Sequence, residues 1–177
     1  MSANKDPRDI NHDPRRIVTR FVDEFQSAGR AEVGDELLAA DFRNWTPNPG
    51  EAADRGGVFH TVAMMHSILP DLHVEIHDML VDGDRVATRK TMRGTHPASR
   101  KSARNPRIVS FDVIDIVRVR DGQIVEHWNS LDRLNVIRQL GLTGVLRLAV
   151  NRVVDALRQR LARRQGDDTA PPQLSVR

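Results

Sequence analysis

The chain has 177 residues, 39% of them hydrophobic and 29% charged, which is enough to bury one core without staples. It contains no cysteine, excluding disulfides, thiol nucleophiles and cysteine-ligated metal centres, and no tyrosine, which removes one common general acid. The net charge of +3 is concentrated in residues 142–165, where six arginines face one aspartate. The stretch up to Gly141 is close to neutral, so a nucleic-acid-binding core is not expected. No apolar run approaches the roughly 20 residues that cross a bilayer. The charged start MSANKDPRDINHDPRR lacks an export segment, so a cytoplasmic location is expected.

Residues 1–12 read as a flexible N-terminus. Asp13-Pro14 is a helix start, an N-cap followed by proline at the first helical position. Ile17, Val18, Phe21, Val22 and Phe25 recur at helical spacing until Gly29. Glu32 to Ala40 predicts a second helix and DFRNW a short strand, followed by a turn-rich segment. Val58 to Leu69 predicts a third helix, stopped by Pro70. The period then changes. LHVEIHDMLV and RVATRKTMRGT flank DGD as a hairpin, and RIVSFDVIDIVRV and QIVEHW flank Asp121-Gly122 as another. DRLNVIRQLG is a closing helix capped by Asp132 and ended by Gly141. Helices followed by four long strands predict an α+β domain: a curved antiparallel sheet wrapped on N-terminal helices, concave on one side so as to enclose an internal pocket. It spans 13–141. A basic amphipathic helix follows over 142–165, and 166–177 reads as a disordered tail.

In RIVSFDVIDIVRV the residues Val109, Phe111, Val113, Asp115, Val117 and Val119 share one face. A lone aspartate among valines must find a donor or raise its pKa, and a raised pKa suits a general acid or base. Its neighbours depend on the hairpin. A two-residue turn at Asp121-Gly122 would pair Arg120 with Gln123 and set Asp115 opposite Trp128. RDGQ fits better as a three-residue loop with a bulge at Gly122, which pairs Val119 with Gln123, Asp115 with His127 and Val113 with Asn129. Asp115, His127 and Asn129 then share a face, with Trp128 and Ile124 turned away. A one-residue slip would scatter them. The alternative for Asp115 is an aspartate satisfied by a backbone amide or an arginine.

Further candidates line the expected substrate site. His66 falls on the apolar face of the third helix, where a satisfied core histidine is the commoner outcome. Met64 can line an adaptable pocket, though ordinary core is the commoner role. Asn44 and Trp45 end the first strand, where a loop could set them at a cavity mouth, and Val113 faces Asn129. No HxxxH or HExxH pair is present, so no metal is expected. Signals for dinucleotides, phosphate loops and serine hydrolases are missing too.

The segments ILPDLHVEIHDMLVDGDRVATRKTMRGTH and VSFDVIDIVRVRDGQIVEHWNSLDRLNVIRQLG resemble the SnoaL-like polyketide cyclases, a family with the cone-shaped fold of nuclear transport factor 2. The resemblance covers roughly 14 to 141. It implies a homodimer of α+β cones, each with a deep apolar pocket and no metal or cofactor. The ligand it implies is an apolar, oxygenated small molecule processed by acid/base chemistry of cyclase, isomerase, dehydratase or epoxide-hydrolase type. The family's acid/base aspartate follows the tryptophan of an EHWD-type motif, and here that position is Asn129, which cannot exchange a proton at neutral pH. A family histidine position falls on Asp115, and another on Trp45. Asp115 is then the expected acid/base, His127 its partner or an alternative proton carrier, and Asn129 an orienting group. A non-catalytic binding protein of the same fold is the alternative, with the basic helix docking on a partner or an anionic membrane.

Overall fold

A computed structural model describes residues 13–96 and 108–139. The expected N-terminus, basic helix and tail lie outside them. The chain divides into two compact units, Met1–Val136 and Ile137–Arg177, and the fold below belongs to the first.

Helix α1 (Pro14–Arg20) is capped by Asp13, whose carboxylate accepts the Arg15 N–H at 3.1 Å. It runs into a wider, π-helical segment, Phe21–Ser27. The sequence accounts for the widening. The inward pairs Ile17/Val18, Phe21/Val22 and Phe25/Gln26, apolar but for Gln26, repeat every four residues, whereas an α-helix repeats every 3.6, so the stripe would drift by about 40° per repeat. A wider turn removes the drift, and all six side chains are buried. Gly29, at φ 71°, ends the segment.

Helix α2 (Ala31–Leu37) is shorter than its sequence pattern, because β1 (Leu38–Asn44) begins where Leu38 turns extended. Leu38 and Ala39 are buried as strand residues rather than as a helix end. Helix α3 (Arg55–Ile68) starts at Asp54, which accepts the Gly57 N–H at 3.1 Å. Position 57 must be glycine, since a Cβ there would lie 1.9 Å from the Ala52 carbonyl oxygen. Phe25 joins the helices, with its ring centroid 4.9 Å from that of Phe59 and 5.4 Å from that of Phe21.

The strands β2 (His73–Asp82), β3 (Arg85–Thr95), β4 (Ile108–Arg120) and β5 (Gln123–Leu131) complete one sheet in the order β1-β5-β4-β3-β2. The sheet is mixed rather than antiparallel throughout, because β1 pairs parallel to β5. The two share no hairpin: the whole of α3 and the long hairpins intervene. Along β4 burial alternates strictly, with Val109, Phe111, Val113, Asp115, Val117 and Val119 inward. Ile114 and Ile116 face outward at 53% and 40% exposure. After β5, Asp132 caps the closing helix by accepting the Asn135 N–H at 3.0 Å.

Candidate functional site

The β4–β5 register builds the site, and it corrects the expected one. Asp121 and Gly122 both have positive φ, 51° and 81°, so the turn is a two-residue, type I′ hairpin with Arg120 opposite Gln123. Left uninterrupted, that turn would set Asp115 against Trp128. The register shifts once, between Arg118 and Val119, so that Ile124 pairs with Val119, Glu126 with Arg118, and Val125 is the extra residue of a bulge. Beyond it His127 pairs with Val117, Asn129 with Asp115, and Leu131 with Val113. The pairing differs from the expected one by two residues. An even shift preserves the face, so Asp115, His127 and Asn129 share the inward side, while Ile124 points inward and not away.

The partner of Asp115 comes from β3. Alternation from Val86 through Thr88 sets Lys90 inward, where it is fully buried. Its Nζ donates to Asp115 Oδ2 at 2.5 Å and to Gln26 Oε1 at 2.6 Å. Gln26 reaches this point because the widened turn of the first helix aims it at the sheet. Burial alone would raise the Asp115 pKa, but the charge of Lys90 and the adjacent His127 ring outweigh it. The carboxyl is held well below its usual range. Asp115 is therefore a fixed carboxylate at neutral pH, and the raised pKa considered from sequence does not occur.

His127 is 7% exposed, and its Nε2 lies 3.4 Å from Asp115 Oδ2, close enough for ion pairing but without hydrogen-bond geometry. Among the described residues neither ring nitrogen has a hydrogen-bond partner, and the same is true of the Thr88 hydroxyl, directly across from Asp115. Buried polar atoms without such partners cost stability unless something else bonds them.

Asn44 stands beside His127 in the parallel β1–β5 pairing and is buried. Its Oδ1 accepts the Thr46 N–H at 3.1 Å, and Thr46 Oγ1 accepts the Asn129 N–H at 2.7 Å. The Asn129 amide group also reaches the Thr46 carbonyl, at 3.5 Å. Val113 is inward, one strand position from this group. Trp45 is 45% exposed on the side of the sheet that carries Trp128, stacked on that ring at 6.2 Å, with Arg43 over its own ring. His66 gives its Nε2–H to the Gln26 carbonyl at 3.0 Å and packs against Gly29, so it braces the segment carrying Gln26. Met64 is half-buried on α3. Among the described residues no group of three or more His, Asp or Glu side chains could hold a metal ion, and no helix is long and apolar enough to cross a membrane.

The residues missed from sequence are Lys90, Gln26, Thr88 and Thr46. For Lys90 and Thr88 a signal existed: both fall in the alternation that makes Val86 inward. Thr46 and Gln26 gave none, since a loop conformation and a π-helical turn place them.

The profile of the SnoaL-like polyketide cyclase family matches residues 16–140. A candidate polyketide cyclase from Bacillus cereus ATCC 10987 is 31% identical over 73% of this chain and 80% of its own, with a TM-score of 0.65. Wild-type IdmH, a candidate polyketide cyclase from Streptomyces antibioticus, is 31% identical over 74% of this chain and all of its own, with a TM-score of 0.64. AclR, a candidate hydroxylase from Streptomyces galilaeus, shares the fold at 21% identity, a TM-score of 0.58, and coverage of 71% and 83%. No curated protein is similar enough in sequence to be matched.

Proposed function

The chain belongs to the SnoaL-like polyketide cyclase family, and from that premise we propose that it is a cofactor-independent enzyme moving a proton on an oxygenated, largely apolar small molecule, with His127 as general acid/base. The observation that carries this reading is the His127 ring: buried, without a hydrogen bond of good geometry at either nitrogen among the described residues, and 3.4 Å from a carboxylate that stays charged. A histidine is the side chain whose ordinary titration range suits proton transfer near neutrality. Asp115, held as a carboxylate by Lys90, is then not the group that carries the proton, and Asn129 takes no proton at all. The Thr88 hydroxyl is left to bond a substrate oxygen. Enolisation next to a carbonyl, the step that opens an intramolecular aldol closure, is the chemistry this set suits.

The test uses proton exchange in D2O at the central carbon of a panel of aryl 1,3-diketones, followed by NMR. Exchange accelerated by the protein and reduced about 10²–10⁴-fold by His127→Gln is the expected result. No acceleration with any member, or full acceleration by the variant, would sink the reading. A second reading, a binding protein without chemistry, is favoured by one observation. Asn129 stands where the family motif carries its aspartate, and its amide is engaged with Thr46. That reading predicts ligand affinity retained in His127→Gln and no turnover in any form of the protein.

A further inference from the structure

We propose that Lys90 is a positioning residue that sets the proton affinity of His127, by neutralising the carboxylate that His127 would otherwise face alone. The inference rests on the acid/base reading of His127 and names what tunes it. The geometry is specific. One carboxylate oxygen, Asp115 Oδ2, lies 2.5 Å from the Lys90 ammonium and 3.4 Å from His127 Nε2. Lys90 is fully buried, so water does not screen its charge, and Gln26 Oε1 fixes it from the helical side at 2.6 Å.

A bare carboxylate at this distance holds an imidazole in its charged form, raising its pKa by about 1–3 units, and a ring locked charged at neutral pH is no base. With Lys90 on the same oxygen, His127 meets a pair of zero net charge. Asn44 faces His127 from β1 and carries no charge. Glu126, next in sequence, reaches Trp45 and Arg118 on the outer face. From the helical layer Gln26 is neutral, and His66 stands behind it on its carbonyl. Glu51, in the segment after β1, is tied to Asn48 and Thr61.

The two members of the pair must therefore act with opposite sign. Lys90→Met leaves the carboxylate to His127 and should raise its titration midpoint by about one pH unit or more. Asp115→Asn leaves the ammonium and should lower it by a similar amount. The double variant should return it close to the wild-type value. The measurement is an NMR titration of histidine-labelled full-length protein without any ligand, with the His127 signal identified by its loss in His127→Gln. His60, exposed on α3, serves as the internal control. Opposite shifts at His127 support the proposal. Shifts of the same sign, or none beyond about 0.3 unit, overturn it, since a packing defect has no reason to change sign. If Lys90→Met does not fold, Asp115→Asn and the double variant decide: a midpoint lowered in the first and restored in the second supports the role, and any other pattern refutes it. Because no substrate is present, these shifts stand or fall separately from the proton-exchange assay.

Discussion

Arg89 and Lys90 are neighbours on β3, and each makes one short ion pair: Arg89 to Asp78 at 2.6 Å, Lys90 to Asp115 at 2.5 Å. The strand's pleat sends them to opposite faces. The outer pair is about half exposed, at 51% and 59%, while the inner one is at 0% and 6%. Equal distances thus hide unequal energetics. In water the outer pair gains little beyond the hydration it gives up. Inside, each charge has lost its hydration and depends chiefly on the other, so the inner pair is weak evidence for stability and strong evidence that neither partner can be removed alone.

The largest expected effect breaks that dependence. Lys90→Met should lower stability by about 3–5 kcal/mol, read as a shift in urea unfolding, because it strands a buried carboxylate. Lys90→Met combined with Asp115→Leu should recover most of the loss, since an apolar pair of similar volume carries no desolvation penalty. A double variant as unstable as the single one would mean that shape, not charge, is what the site needs.

Much of the inward row is legible in the alternation of RIVSFDVIDIVRV, which places Asp115 among valines. The His127–Asn129 grouping is legible only as a parity. The sequence carries the turn residues Asp121-Gly122, but nothing in QIVEHW marks Val125 as the bulge, because consecutive buried residues there look like an ordinary core strand. Expecting one extra residue at the turn, where the structure has it past the first two pairs, preserves the face and misplaces each partner by two. The parallel β1–β5 contact is invisible locally, since it joins segments about 80 residues apart. The charge state of Asp115 is invisible until Lys90 is seen beside it, and a lysine between Arg89 and Thr91 reads as one more solvated cation.

A smaller effect sharpens the same contrast through pH. The folded Asp115 carboxyl is held below its ordinary value of 3.8, so the folded protein takes up that proton less readily than the unfolded chain does. Its contribution is complete above about pH 4 and is lost as pH falls further. Between pH 4.5 and pH 2.5 the wild type should therefore lose about 1–2 kcal/mol more than Asp115→Asn, measured by urea midpoints at each pH. Equal losses would show that the inner pair does not hold the carboxyl charged. Next in size comes the outer aromatic pair. Trp45→Ala removes the stack on Trp128 and should cost about 1 kcal/mol, read as a shift in urea unfolding.

The smallest effect is the most discriminating about environment. Arg89→Met cuts an ion pair as short as the inner one, yet it should change stability by less than about 1 kcal/mol, because both partners return to water. Salt separates the two further. At 1 M salt the Debye length is about 3 Å, so what remains of the Arg89 contribution should vanish, and the variant should match the wild type within error. The deficit of Lys90→Met should persist at the same salt, since ions do not enter the space between Lys90 and Asp115. A Lys90 deficit that faded with salt would mean that water and ions reach the inner pair, and then neither its fixed carboxylate nor its hold on His127 would survive.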